Sequence, residues 1–305
     1  MKERVLVTGA AGFVGRYVVT ALLDAGYPVI ALRHRTALPA ELAARCQRVL
    51  AGDLRDPAIR QEALRDANCI CHLSAYIPPR LDDLEEAARC YAVNAEATLE
   101  LALAARKCGI RRFVHFSTGN MYAPADSPRS ETDSLFPAEC APGYFVSKIA
   151  AELYLMHAVR RTATDCVILR IATPYGPGEP SRKVIPAFLR LAAERQPLRM
   201  ANGGVTRFNF VHVADVADCA VRAVETGAPG IYNVAAGEHT SIREMAEQVV
   251  DLFGEPRAPL QIEPASPGAF AGFPALSIAK ACEVWGFAPR SLAAGLRAYR
   301  DQMRA

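Results

Sequence analysis

The first 170 residues repeat a pattern in which a short apolar run is followed by a turn and a helix-period stretch. Val5-Leu6-Val7 reads as a buried strand, and Arg16–Ala25 follows it with helical spacing of Tyr17, Val18, Ala21 and Leu22. Pro28–Leu32 predicts a second strand, Val49–Ala51 a third and Asn68–Leu73 a fourth, with a further helix over Ala58–Ala67. A long helical stretch runs from about Asp83 to Cys108, where Gly109 provides a left-handed C-terminal cap. Arg112–Ser117 predicts the fifth strand, Tyr144–Arg161 another long helix and Cys166–Arg170 the sixth strand. Continuous apolar strands alternating with helices imply a parallel sheet covered on both faces, a doubly wound α/β fold of Rossmann type.

After Thr173 the texture changes. Pro174-Tyr175-Gly176-Pro177-Gly178 is turn chemistry, and proline or glycine recurs at Pro197, Gly203-Gly204, Pro256, Pro259, Pro264 and Pro267. A smaller C-terminal α/β lobe is expected over the carboxyl edge of the sheet, where ligands of such folds bind. Gly230–Val234 still reads as a buried strand that returns to the main sheet. The expected division is residues 1–173 plus about 212–236 as the dinucleotide-binding domain, with 174–211 and 237–305 as the substrate lobe.

Composition narrows the classes. The 305 residues are 51% hydrophobic with a formal net charge of +3, enough for a substantial core and without a nucleic-acid signature. No long apolar stretch predicts a membrane span, and the chain enters a strand at once, so no signal peptide is expected. The nine cysteines are scattered, with no Cys-x-x-Cys pair. Cys69 and Cys71 lie two apart in one strand, hence on one face. This usage predicts free thiols, no metal and a cytoplasmic location.

Two stretches carry chemistry. Gly9-Ala10-Ala11-Gly12-Phe13-Val14-Gly15 is a glycine-rich turn between a strand and a helix N-terminus, whose N–H groups and dipole suit a phosphate. Gly9 permits the turn, Gly12 admits a pyrophosphate to the backbone and Gly15 lets the helix pack on the strand. Tyr144-Phe145-Val146-Ser147-Lys148 places a phenol and an ammonium four apart on one helix face. A neighbouring ammonium lowers a phenol pKa, which predicts a tyrosine able to exchange protons near neutral pH. Thr118, at the end of the fifth strand, adds a hydroxyl, and Pro142-Gly143 marks the start of the helix.

Together these motifs resemble the extended short-chain dehydrogenase/reductases, the nucleotide-sugar epimerase/dehydratase family. The resemblance rests also on Gly52-Asp53-Leu54, His72-Leu73-Ser74-Ala75, Asn94, Phe116-Ser117-Thr118, Leu169-Arg170, Tyr175-Gly176-Pro177-Gly178, Phe210–Val216 and Tyr232-Asn233-Val234, and it spans nearly the whole chain. It implies Tyr144 as general acid/base, Lys148 as holder of the nicotinamide ribose and Thr118 as hydrogen-bond partner of the substrate oxygen. Cofactor contacts are implied at Gly9, Gly12, Phe13, Val14, Gly15, Asp53, Leu54, Leu73, Ser74, Ala75 and Ser117, besides Tyr144 and Lys148. Asn94 reads equally as a helix-packing residue, and His72 and His115 read as core histidines. The resemblance further implies a homodimer through the helices over 83–108 and 144–161, with Ala87, Ala88, Ala92, Ala95 and Leu99 supplying small or apolar faces.

Cofactor and reaction follow from departures. Arg33-His34-Arg35 follows the second strand where an acidic residue would bind a ribose 2′-hydroxyl. Arg33 and Arg35 can pair with a 2′-phosphate, which favours NADP over NAD. The family's 4,6-dehydratases carry an acidic pair where Gly119-Asn120 stands, and the GDP-fucose synthase type has a cysteine at the position of Asn120. Thr173 replaces the family's sugar-binding asparagine, Arg207 sits one residue out of register, and Ser266-Pro267-Gly268-Ala269 replaces a late arginine segment. Expected substrate contacts are therefore Thr118, Asn120, Tyr144 and Thr173, with Arg182, Lys183 and Arg207 for a diphosphate. The leading expectation is a nucleotide-sugar 4-ketoreductase or epimerase. The alternatives are an NADP-dependent reductase or dehydrogenase of a non-nucleotide carbonyl or alcohol, such as a natural-product ketone or sterol-like alcohol, and a cofactor-binding regulator without turnover.

Overall fold

The computed structural model describes residues 2–80, 83, 85–136 and 142–304. Its first half contains β1 (Val5–Thr8), α1 (Phe13–Asp24), β2 (Val29–Arg33), α2 (Ala40–Arg45), β3 (Arg48–Ala51), α3 (Pro57–Leu64), β4 (Cys69–His72), α4 (Ala87–Cys90), α5 (Ala97–Lys107), β5 (Arg112–Thr118), α6 (Pro142–Val159) and β6 (Asp165–Ile171). The second half contains β7 (Thr173–Tyr175), α7 (Val184–Ala193), β8 (Leu198–Met200), β9 (Arg207–Phe208), β10 (Phe210–His212), α8 (Val213–Thr226), β11 (Gly230–Val234), β12 (Thr240–Ser241), α9 (Ile242–Asp251), β13 (Leu260–Ile262), α10 (Ala279–Trp285) and α11 (Leu292–Arg304).

Seven strands form one parallel sheet in the order β11-β6-β5-β4-β1-β2-β3. The order reverses between β1 and β4, which opens a crevice at the carboxyl edge beside the glycine-rich turn. Side chains alternate across the sheet as the strand period demands. Val5, Val7, Val29, Ala31, Cys69 and Cys71 pack toward α1 and α8. Leu6, Ile30, Ile70 and Phe113 pack toward α3, α5 and α6. The expected return of Gly230–Val234 holds: β11 pairs with β6 from Val167 to Ile171.

A separate apolar cluster lies in the second half. Ile185, Phe188 and Leu189 of α7, Met245 and Val249 of α9, and Leu292, Leu296 and Tyr299 of α11 pack together there. Three two-stranded pairings accompany it, β10 with β7, β12 with β9 and β13 with β8.

Helix boundaries differ from the sequence expectation for local reasons. Asp56 caps α3 through Ala58 N, Pro57 occupies the first turn, and the helix stops at Leu64 where Arg65 leaves helical geometry with ψ 123°, followed by Asp66 at a left-handed φ of 67°. The single helix expected over 83–108 is instead α4, a π-helical turn over Tyr91–Glu96, and α5; Leu84 at its start lies outside the described residues. The expected small-residue faces divide: Ala95 turns inward, Ala87, Ala92 and Leu99 are half-buried and Ala88 is exposed. Ala95 is buried, and a Cβ on Gly143 would meet the Ala87 Cβ at 3.0 Å, so that face packs on α6 of the same chain. Tyr91, Leu103, Val146, Leu153 and Tyr154 are the exposed apolar residues of this helical layer.

Candidate active site

The glycine-rich turn is shaped by close backbone approach. Gly9 has φ 68°, and a Cβ there would stand 2.8 Å from Ser74 N. At Gly15 a Cβ would stand 2.2 Å from Gly9 O, so α1 packs on the turn only without a side chain. Gly12 is the N-cap of α1 and contributes no side-chain cap, so the first N–H groups face the crevice without a protein partner from the cap side chain. Phe13 stacks edge-on against Tyr17, and Val14 packs on the core beneath.

From this turn a cavity of about 440 Å³ runs along the carboxyl ends of β1, β2, β3 and β4. It brings together Gly9, Gly12, Arg33, Arg35, Asp53, Leu54, Leu73, Ser74 and Ala75, and adds His34, Thr36, Arg55, Tyr76, Arg89 and Val93, which the motifs did not single out. Asp53 is the sole carboxylate among these described lining residues. Arg55 grips it through Nη2 at 2.7 Å and Nε at 3.1 Å, with His34 Nε2 at 3.8 Å. The Arg55 hydrogen bonds hold the Asp53 carboxyl down at about 2. Arg33 donates only to His34 O, at 3.3 Å, and Arg35 is exposed. Arg89 lies over the Tyr76 ring, 4.1 Å from its centre.

The residues expected to react stand at the adjoining end of β5 and in the first turns of α6. Thr118 closes β5, is buried, and its Oγ accepts from Asn120 N at 3.2 Å. Ser117 Oγ is buried without a hydrogen-bond partner. Lys148 Nζ donates to Phe116 O at 2.8 Å and lies 3.4 Å from His115 Nε2, which ties α6 to β5 two residues before Thr118. Burial brings the lysine down to about 8. The expected lowering of Tyr144 does not occur: burial pushes its phenol up to about 12, with the Cys90 thiol adding. Four-residue spacing puts Lys148 on the same helix face, but its ammonium is directed at β5 rather than at the phenol. Tyr144 is thus a protonated phenol at neutral pH, the form that donates.

Asn94 and the two histidines are held internally. Asn94 bridges Tyr76 and Ser147, and His72 lies between Thr8 and Thr98 hydroxyls at 2.7 and 2.9 Å. His115 stacks on His72, and burial depresses both rings, His72 to about 3. Arg170 is committed to the frame. It grips buried Glu152 with contacts of 2.7–3.2 Å and donates to Tyr122 OH, which in turn donates to Asn233 Oδ1.

The substrate side is organised differently. A Cβ on Gly119 would stand 2.4 Å from Leu276 Cδ1, the movable end of that side chain. Thr173 Oγ1 is buried and unpartnered. Arg182 and Lys183 are exposed just before α7. Arg207 is engaged within its lobe, donating to His239 O at 2.5 Å and pairing with Glu244 at 3.1 Å. Phe273 packs on Phe145 at 5.8 Å, on Phe270 at 5.1 Å and on Phe208 at 5.9 Å, an aromatic cluster reaching Tyr144 through its neighbour Phe145. Residues 271–273 are fixed there by Ala271 O and Phe273 N bonding to Arg207 backbone atoms. The run Ala269-Phe270-Ala271-Gly272-Phe273 marks this part of the chain as apolar in sequence, but no local motif announces its junction with Phe145, 128 residues before Phe273.

Among the described residues no group of His, Cys, Asp and Glu could hold a metal ion, and no helix is long and apolar enough to cross a membrane.

Residues 5–235 match the NAD dependent epimerase/dehydratase family. The chain is 30% identical to a dTDP-4-dehydro-6-deoxy-D-allose reductase of Streptomyces bikiniensis, over 96% of this chain and 93% of that protein. It is also 30% identical to sterol demethylase protein B of Methylococcus capsulatus, over 85% of this chain and 77% of that protein. The UDP-glucose 4-epimerase of Thermus thermophilus, solved with NAD, superposes with a TM-score of 0.85 at 28% identity, covering 99% of both chains.

Proposed function

The chain belongs to the NAD-dependent epimerase/dehydratase family of NAD(P)-dependent oxidoreductases, and on that premise we propose that it is an NADP-dependent 4-ketoreductase of a nucleotide-linked sugar. The glycine cradle and the orphaned Ser117 hydroxyl fit a nicotinamide dinucleotide. Gly12 and the N-terminus of α1 would take its pyrophosphate, Asp53 and Leu54 would flank the adenine, and Lys148 would hold the nicotinamide ribose. When bound, the reduced group supplies a hydride to the substrate carbonyl. Thr118 holds the carbonyl oxygen, and Tyr144 gives it a proton. Fixing these groups in line supplies much of the rate through orientation.

The observation that carries the cofactor preference is the charge at the ribose end of the cavity. Among the described residues Arg33 and Arg35 have no carboxylate partner there, while Arg55 and His34 occupy Asp53. A 2′-phosphate gains charge-assisted bonds at this place and meets no free carboxylate. Reduction rather than epimerisation accords with an exchangeable NADPH and with a phenol that starts protonated. Gly119-Asn120, which carry no carboxylate, weigh against carboxylate-driven elimination.

Arg182 and Lys183 are the cations available for a diphosphate, and Thr173 offers its free hydroxyl to the sugar. Residues 174–211 and 237–305 form the substrate lobe in this reading. The exposed apolar residues of α5 and α6, with Tyr91, form the contact of a homodimer. The eight described cysteines are free thiols, which suits the reducing cytoplasm. A second reading, a non-nucleotide carbonyl or alcohol as substrate, draws on the aromatic cluster around Phe273 and on the similarity to the sterol demethylase component.

Thermal unfolding with NAD, with NADP, and with NADP plus dTDP, UDP, GDP or CDP tests these points. A ligand at a hundredfold excess over Kd adds about 2.7 kcal/mol of stability. NADP is expected to raise Tm more than NAD, and one diphosphate to raise it further. A larger shift with NAD refutes the NADP preference. No added shift from any diphosphate refutes the nucleotide sugar and leaves the apolar carbonyl.

A further inference from the structure

Two runs of hydrogen bonds, joined at Asn94 through its main-chain carbonyl and its side-chain amide, cross the interior from the cofactor crevice to the catalytic helix, and the direction of each bond is fixed. Ser74 N donates to Thr8 Oγ1 at 3.2 Å. The Thr8 hydroxyl lies 2.7 Å from His72 Nδ1, and His72 Nε2 lies 2.9 Å from Thr98 Oγ1. Thr98 spends its own proton on Asn94 O, at 2.6 Å, so it must accept from His72. His72 is therefore protonated at Nε2, and Nδ1 accepts from Thr8. The Asn94 side chain continues the path. Its Oδ1 accepts from Tyr76 N at 2.6 Å, and its Nδ2 donates to Tyr76 O and to Ser147 Oγ, both at 2.9 Å. Ser147 Oγ then donates to Tyr144 O at 2.7 Å.

Thr8, His72, Thr98, Asn94 and Ser147 are each no more than 2% exposed. Water cannot replace a missing partner there without a void, so each lost bond leaves a buried polar atom unsatisfied. Asn94 sits in the π-helical turn over Tyr91–Glu96, and the Thr98 hydroxyl bonds the Asn94 carbonyl in it. The two ends of the chain have functional meaning. Ser74 and Tyr76 line the cofactor cavity, and Tyr144 O belongs to the first turns of α6.

We propose that Thr8, His72, Thr98, Asn94 and Ser147 are positioning residues, which together hold the backbone of Tyr144 in fixed register with the wall of the cofactor crevice. None of them touches the reacting atoms. Each acts through the placement of α6, and a small displacement of a proton donor costs rate far more than it costs affinity. The inference rests on the proposed function for its reaction, while its structural half needs no substrate.

Thr98→Val removes the hydroxyl and keeps the shape, whereas Thr98→Ser keeps the hydroxyl. Two readouts separate the outcomes. Amide hydrogen exchange of the cofactor-free protein over 145–148 reports the first turns of α6. Turnover of NADPH with a dTDP-linked 4-keto-6-deoxyhexose, together with the NADPH Kd, reports the reaction. In Thr98→Val, exchange over 145–148 is expected to rise about tenfold or more and kcat to fall by about 10- to 100-fold, with Kd held within about twofold. Thr98→Ser is expected to restore both to within about threefold of the parent. If Thr98→Val fails to fold, Ser147→Ala, which cuts the last link, reads the same quantities. Unchanged exchange over 145–148 in folded Thr98→Val or Ser147→Ala overturns the proposal, and so does a Thr98→Ser protein as impaired as Thr98→Val. If the parent does not reduce the ketosugar, the proposed substrate fails, and the exchange comparison still decides the positioning role.

Discussion

The crevice over β1–β4 and the lobe built on α7, α9 and α11 treat charge in opposite ways. In the crevice Arg33 ends β2 and Arg35 follows it; among the described residues neither has a carboxylate partner, both border a cavity, and the one lining carboxylate, Asp53, is held by its neighbour Arg55 two residues on. In the lobe Arg207, the arginine nearest to the expected register, is taken by Glu244 and by His239 O, and an aromatic cluster around Phe273 stands beside the catalytic helix. Under the proposed function the two specificities reside in different kinds of element. Cofactor recognition would rest on short-range elements, with the cations of Arg33 and Arg35 at a strand terminus. Substrate recognition would depend on which side chains the lobe has already spent on holding itself together.

The largest break of this comparison is at the point both regions serve. Tyr144→Phe removes the proton donor and keeps the ring, so kcat is expected to fall by about 10²- to 10⁴-fold with the NADPH Kd nearly unchanged. Steady-state kinetics with fluorescence titration of NADPH checks it, and substantial residual turnover would remove Tyr144 from its role. An intermediate effect is expected from Arg33→Ala with Arg35→Ala. Loss of two charge-assisted contacts should weaken NADP by about 10- to 100-fold and NAD by less than about threefold. Equal weakening of both cofactors in calorimetric titration would mean that these arginines read no 2′-phosphate. The smallest effect belongs to the lobe. Arg207→Gln should change KM for the nucleotide sugar by less than about threefold, because its guanidinium already has partners, and its pair with Glu244 is half-exposed and worth little to stability. A tenfold rise in KM would show that Arg207 leaves Glu244 for the diphosphate, and the contrast between the two regions would dissolve.

Much of the crevice was legible because its parts are local. The turn from Gly9 to Gly15 connects one strand to one helix, and its steric reason, a Cβ at Gly15 meeting Gly9 O, involves residues six apart. Asp53, Leu54 and Leu73-Ser74-Ala75 each follow a strand in the sheet and reach the same edge by strand order alone. The alternation that placed Cys69 and Cys71 on one face held for the same reason, a fixed period of two. Less legible were Tyr76, Arg89 and Val93, which reach the cavity from beyond the end of β4, from α4 and from the π-helical turn over Tyr91–Glu96. Helical spacing alone predicted one continuous helix there, because a one-residue widening leaves no mark on apolar periodicity.

The Tyr144 pKa marks a clearer limit. The Tyr-x-x-x-Lys spacing put phenol and ammonium on one face, and proximity along a helix argued for a lowered phenol. Burial outweighs it, and the lysine is drawn to Phe116 O on a strand more than thirty residues earlier. The spacing of two residues says which face they share, and it does not say where a flexible ammonium goes when a buried carbonyl competes for it.

The sequence by itself determined the doubly wound sheet and the tight glycine turn, since both follow from period and turn sterics, while the roles of Thr118, Tyr144, Lys148 and Arg33 stand as proposals. Tertiary structure alone decided that Leu276 fills the space beside Gly119, that Arg207 is spent on Glu244, that Phe273 joins Phe145, and that Ser74 is linked to Tyr144 through five buried side chains. These are contacts between residues far apart in sequence, fixed only when the core closes and each buried polar group must find a partner.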